Sequence, residues 1–296
     1  MLVVDLSRYL PGPFATRELL RLGARVVRVE PPEGDPMRLV DPRWDAELNA
    51  GKESVVCDLK TEPELAQALC RRADAVVEGF RPGVAARLGL EPGPETVWCS
   101  ITGFGTGGRH AQRVGHDLNY LGWAGVLEAT APTNPPVPVA DFTGSFAAVR
   151  EILAALLDRE RTGRGSRLEV SMTHEAHRLA APPLLTGAAA CYRVYACADG
   201  RHLTVAALEP RFWQRFLELV GLPGLDAFAP ELPELAARLR ERPLADWLEL
   251  LDGEEVCAGP VATLAEARAE FGTTPPGRAA DLGEHTEAWR AQLRAR

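Results

Sequence analysis

Short unbroken apolar runs alternate with helical stripes along the first hundred residues. Leu2-Val3-Val4-Asp5-Leu6 has the length and character of a buried strand. Phe14 to Leu22 carries apolar residues at helical spacing and stops at Gly23, with Pro11-Gly12-Pro13 read as a turn before it. Ala24 to Glu30 is a second strand. Strand, helix and strand joined by short links form the βαβ unit of a parallel sheet. Pro31 to Asn49 is polar and proline-rich, so a loop is expected. Ser54 to Leu59, Ala75 to Glu78 and Val97 to Ile101 read as further strands, with a helix over Glu62 to Arg72 and a short one reaching Arg87-Leu88-Gly89. The pattern predicts an α/β fold with a Rossmann-like open parallel sheet. In such sheets ligands bind at the carboxyl ends of strands. Gly79–Arg81 and the run Thr102-Gly103-Phe104-Gly105-Thr106-Gly107-Gly108 fall there.

Beyond residue 115 the period changes. His116 to Ala129 is an amphipathic helix, and Pro132 to Pro138 a proline-rich loop leading to Val139–Gly144 as a turn. Ser145 to Arg161 is a long helix with Phe146, Val149, Ile152, Leu153, Leu156 and Leu157 as its apolar face. Arg167 to Ser171 is a strand. Composition shifts near Pro182-Pro183, and a smaller α+β domain is expected over 186–271, after a larger one over 1–185. Tyr192–Tyr195 and His202–Ala207 flank Asp199-Gly200 as a hairpin. Helices follow at Pro210–Val220, Pro233–Arg242, Leu244–Leu251 and Leu264–Phe271, with a short strand at Val256–Val261.

Charge narrows the function classes. The chain of 296 residues has a formal net charge of −8, which argues against a general nucleic-acid binder. It leaves room for a polyanionic ligand held by a few local arginines. The six cysteines include no C-x-x-C pair and read as reduced, mostly buried thiols of a cytoplasmic protein. No apolar run has the length of a membrane span, and the strand beginning at Leu2 leaves no targeting segment to expect.

The candidate chemistry centres on Arg113-Val114-Gly115-His116-Asp117-Leu118-Asn119-Tyr120, just after the glycine-rich run. An imidazole titrates near neutral pH and suits proton transfer; a lone histidine at a helix start is otherwise a cap. Asp141 follows the proline-rich loop, where a helix N-cap is an equal reading. Glu209 closes the run Leu203–Leu208, where the dipole of the Pro210 helix also favours a carboxylate. No dinucleotide G-x-G-x-x-G follows the first strand, and no Gly-Lys-Ser/Thr follows the glycine-rich run. His174 and His177 are spaced H-E-A-H rather than H-E-x-x-H, and no metal constellation is expected.

Several motifs, in order along nearly the whole chain, resemble the family III CoA-transferases, and within them the racemases of 2-methylacyl-CoA esters. They are Asp5-Leu6-Ser7-Arg8 with Pro11-Gly12-Pro13, Leu22-Gly23-Ala24 through Val29-Glu30, Gly51-Lys52 with Asp58-Leu59-Lys60, Glu78-Gly79-Phe80-Arg81-Pro82-Gly83-Val84, Arg87-Leu88-Gly89-Leu90, Gly115–Tyr120, Ala140-Asp141-Phe142, and Tyr195 through Asp199-Gly200 to Glu209-Pro210. The resemblance implies a large domain completed by 272–296 and an interlocked homodimer, with the site between the large domain of one subunit and the small domain of the other. This chain is shorter than the family pattern between Met172 and Tyr192 and before Gly283. The resemblance further implies His116 and Asp141 as opposed acid/base groups at C2 of an acyl-CoA, with Glu209 supporting His116. In transferases the position of Asp141 is the nucleophile and that of His116 usually carries an aromatic residue. Leu59, Lys60, Arg81 and Arg87 match the CoA groove, with a solvated helix face as the alternative reading of Arg87. Gly115, Asp117, Leu118, Asn119 and Tyr120 match the acyl and pantetheine pocket. The expected activity is epimerisation of 2-methylacyl-CoA with no cofactor beyond the CoA of the substrate, no nucleic acid and no membrane. A CoA-transferase using Asp141, or a shortened non-catalytic acyl-CoA binder, are the alternatives.

Overall fold

The computed structural model describes residues 1–180, 182–272 and 277–295; residues 181, 273–276 and 296, the last five within the predicted chain-end stretch, lie outside the described residues. Two compact units result, Met1–Ala180 with Pro275–Arg296, and Ala181–Thr274. In the first unit, β1 (Leu2–Asp5), β2 (Arg25–Glu30), β3 (Glu53–Val56), β4 (Ala75–Glu78), β5 (Val97–Thr102) and β6 (Arg167–Ser171) form a six-stranded sheet in the order β3-β2-β1-β4-β5-β6. Every pair is parallel, as the alternation of strand and helix predicts.

Alternate residues of each strand feed opposite faces. Val3, Val26 and Val77 pack with the Pro11–Arg21, Asp117–Ala124 and Val139–Thr162 helices. Val4, Val27 and Val76 pack with the Glu64–Arg72 helix and Trp289. Trp289 comes from the chain's other end. The Thr286–Arg294 helix is tied to β3 by a bond from the His285 N–H to the Ser54 carbonyl (2.9 Å) and one from Trp289 Nε1 to Glu53 Oε2 (2.6 Å). In the second unit β7 (Tyr192–Ala196), β8 (His202–Ala206) and β9 (Ala258–Pro260) form an antiparallel sheet. It packs on helices through Trp213, Phe216 and Trp247. All six cysteines are free, and Cys257 alone is exposed. Among the described residues no helix is long and apolar enough to cross a membrane.

Three local expectations are corrected. Pro11-Gly12-Pro13 is the first turn of the Pro11–Arg21 helix; proline at N1 has its torsion preset and loses no hydrogen bond there. The loop expected over Pro31 to Asn49 contains helices at Met37–Val40 and Pro42–Asn49. The second starts because Asp41 accepts the Trp44 N–H (3.0 Å) ahead of Pro42. The long helix starts at Val139, not Ser145, so Asp141 lies in its first turn. Its expected apolar face is met in part: Ile152 is buried, and Val149 and Leu156 pack against the core. Ala140, Gly144, Ala147, Ala148 and Ile152 face the core, while Phe146 and Leu157 are 56% and 71% exposed. Small residues permit close approach: a Cβ on Gly144 would lie 2.6 Å from Met172 Cγ. Of the expected apolar face, Phe146, Leu153 and Leu157 therefore stay largely outside.

Candidate active site

The strand order reverses direction between β1 and β4, and a cleft of about 980 Å³ opens there. It is lined by the residues that leave β1 (Leu6–Tyr9), β4 (Gly79–Pro82) and β5 (Ile101–Phe104), by Arg113–His116, Asn119 and Tyr120, and by Asp141.

Each wall is fixed by local chemistry. Behind the β1 wall, the Asp5 carboxylate takes the Ser7 N–H (3.0 Å) and the Ser7 hydroxyl. It also takes the Thr16 hydroxyl (2.5 Å) and the Lys52 ammonium (3.2 Å). Burial pushes the Asp5 carboxyl up, but Lys52 and the two hydroxyls outweigh it and hold it below its ordinary range. A side chain at Gly12 would land on Ser7, so the turn tolerates only glycine.

Across the cleft, the buried Tyr120 ring sits on two glycines and its hydroxyl donates to the Gly115 carbonyl. A Cβ on Gly115 would lie 2.9 Å from Tyr120 Cε1, and one on Gly103 would overlap the ring. Burial raises the Tyr120 phenol to about 12, so it remains a donor. This clamp sets the strand of backbone entering His116. Gly103→Ala is expected to displace Tyr120 and cost about 1–3 kcal/mol by overpacking. Urea unfolding measures the loss, and a wild-type midpoint would show that the ring moves without cost.

His116 is the N-cap of the Asp117–Ala124 helix, and its N–H donates to Asn119 Oδ1 (3.0 Å). Its exposed ring meets Tyr9 edge to face, with centroids 5.8 Å apart. Asp117, the next residue, turns away and accepts the Asp141 N–H (3.0 Å). It thus caps the long helix and holds Asp141 in place. The Asp141 carboxyl is partly buried and receives no hydrogen bond or ion pair among the described residues. Burial, then the negative charge of Asp117, raises it to about 7. Burial likewise raises Asp117.

The structure thus brings His116, Asp141, Gly115, Asn119, Tyr120 and Arg81 to one cleft. Asp117 stands behind it. Leu118 is on the helix surface, 44% exposed. Leu59 and Lys60 follow β3 and Arg87 ends the Val84–Arg87 helix; none of them lines the cleft. Glu209 belongs to the second unit, where its carbonyl accepts the Phe212 and Trp213 N–H groups at the start of the Pro210–Val220 helix. Arg8, Tyr9 and Arg113 also line the cleft; Arg8 and Arg113 stood in the quoted motifs without a site role, and Tyr9 lay outside them. Their signal was position: Arg8 and Tyr9 leave β1 and Arg113 precedes the histidine. Arg8, Arg81 and Arg113 are exposed cations with no acidic partner among the described residues, an arrangement suited to phosphates. No group of His, Cys, Asp and Glu among the described residues is arranged to hold a metal.

The model of CoA-transferase family III matches residues 1–288. The chain is 33% identical to human alpha-methylacyl-CoA racemase, over 89% of this chain and 77% of that one. It is 31% identical to the acetyl-CoA:oxalate CoA-transferase of Acetobacter aceti, over 90% and 81%. The crystal structure of a CAIB/BAIF family protein from Brucella suis superposes with a TM-score of 0.83 at 28% identity, covering 99% of this chain and 98% of that one.

Proposed function

The chain belongs to CoA-transferase family III, and from that premise we propose that it interconverts the epimers of a 2-methylacyl-CoA by moving the proton at C2. The observation that carries this reading is the shared cleft of His116 and Asp141, with the Asp141 carboxyl raised to about 7. One group takes the C2 proton and leaves its electron pair as an enolate. The other delivers a proton to the opposite face. The roles swap for the other epimer. A group that titrates near neutrality serves both as acid and as base. The open N–H groups at the start of the Asp117–Ala124 helix are suited to the enolate oxygen. Arg8, Arg81 and Arg113, with Lys60 and Arg87 outside the cleft, suit the phosphates of the CoA tail. Glu209 fits a carboxylate that orients His116 in an assembled homodimer. No cofactor is required beyond the CoA of the substrate.

The test is incubation of one epimer of a branched acyl-CoA in deuterium oxide. One deuterium at C2 with loss of configuration is expected; exchange of CoA between free acids without label would overturn the reading. The pH dependence is a second check. The His116–Asp141 pair must hold one proton in total, so kcat/KM should fall both where each group is protonated and where neither is. The result is a bell with a limb set near neutrality by Asp141.

A CoA-transferase is the second reading, favoured by the unbonded Asp141 carboxylate facing the cleft. Its oxygen would attack the thioester carbonyl and expel CoA thiolate, which would then attack the aspartyl carbonyl and release the free acid. That nucleophile must be ionised, so activity would fall only on the acid side, through about pH 7. Hydroxylamine would trap the aspartyl-CoA.

A further inference from the structure

Tyr9 is held in a conformation that its own side chain does not favour. Its φ is 66°, in the left-handed region that among the described non-glycine residues only Cys257 shares. Glycine or asparagine would sit there with less strain. The loop imposes it from both sides. Asp5 clamps Ser7 on one side. On the other, the Tyr9 N–H donates to Asp35 Oδ2 (3.2 Å), and the buried Asp35 is anchored by Arg28 at 3.1 Å. The ring gains nothing from the core: it is 44% exposed, and no hydrogen bond of its hydroxyl is present among the described residues. What the strained backbone achieves is to stand the phenol ring in the cleft against the His116 imidazole, 5.8 Å between centroids at 84°.

We propose that Tyr9 is a positioning residue for His116: its ring, through an edge-to-face contact, fixes the plane of the imidazole that exchanges the C2 proton. This rests on the proton-transfer reading above. Edge-to-face pairs are directional, and an exposed imidazole at a helix N-cap otherwise rotates about its side-chain bonds. A misaimed base loses rate while substrate binding persists. The ring is required and the hydroxyl is not.

The test uses Tyr9→Phe and Tyr9→Gly in the full chain. Tyr9→Gly removes the ring and also relieves the backbone, so its thermal midpoint should equal or exceed that of the wild type. Its kcat for C2 exchange should fall about tenfold with KM within about threefold. Tyr9→Phe should keep kcat within about twofold. NMR of the His116 side chain in the free protein supplies a readout that needs no turnover: rotamer couplings and NOEs should report one fixed ring orientation in the wild type and Tyr9→Phe, and rotamer averaging in Tyr9→Gly. A fixed His116 rotamer in Tyr9→Gly, an unchanged kcat there, or a Tyr9→Phe as slow as Tyr9→Gly would each overturn the proposal. If the wild type shows no C2 exchange, the epimerase reading fails, while the rotamer measurement still decides whether Tyr9 orients His116.

Discussion

Asp141→Asn should abolish inversion at C2 and at the same time make the protein harder to unfold above neutral pH. The first effect follows from chemistry: general acid–base groups contribute about 10²–10⁴-fold, and an amide neither takes nor gives the proton. The second follows from burial. The Asp141 carboxyl is raised from 3.8 to about 7, first by desolvation and then by Asp117. Between those values the folded state keeps the proton that the unfolded chain has released. Folding is thus favoured at low pH, and that advantage is lost as pH rises through about 7. At pH 8 the ionised carboxylate should cost roughly 2–4 kcal/mol, discounted for the part of the group that meets solvent. Asparagine escapes this cost, so denaturant unfolding should show the variant gaining at pH 8 and not at pH 4. His116→Ala should lose a similar factor in rate without that gain, because its ring is exposed. Equal stability of wild type and Asp141→Asn at pH 8 would mean that the carboxyl is ordinary and would remove the main support for its acid/base role.

That contrast also shows how much of the site was readable in advance. The sheet was legible because its inner strands are buried and appear as short apolar runs, as in Leu2–Asp5, Ala75–Glu78 and Val97–Thr102. The gaps arose where capping or small residues decide structure. Asp41 with Pro42 starts a helix in a stretch that composition marks as loop. Gly144 and Ala148 face the core although Phe146 and Leu157 have the stronger apolar signal. The histidine and aspartate stood out from their contexts, but the division of labour between neighbours did not. Asp117 and Asn119 both flank His116, yet one reaches across to cap the Asp141 helix and the other caps the histidine's own N–H. Such assignments depend on which way a helix start faces, and spacing does not encode that. Tyr9 was invisible for a related reason, since a backbone torsion imposed by Asp35, 26 residues away, leaves no local pattern.

Lys52→Met should be the most destabilising single change in the large unit. The ammonium is 1% exposed and donates to Asp5 Oδ2 (3.2 Å), the Pro13 carbonyl (2.8 Å), Thr16 Oγ1 (2.7 Å) and Asn49 Oδ1 (2.8 Å). Burial pulls Lys52 below the usual lysine range, and Asp5 holds the proton on it. Methionine has a similar length and offers no donor. It would leave uncompensated the charge of a carboxylate that is itself wholly buried. Removing one partner of a buried pair costs about 3–5 kcal/mol, whereas removing both charges costs much less. Lys52→Met with Asp5→Asn should therefore recover at least half of the loss in urea unfolding. The folded fraction of the single variant should also be catalytically poor. Asp5 holds Ser7, Ser7 abuts Gly12, and that turn carries Arg8 and Tyr9 into the cleft. If Lys52→Met unfolds within about 1 kcal/mol of wild type, water has replaced the ammonium, and the loop after β1 is held by something other than this pair.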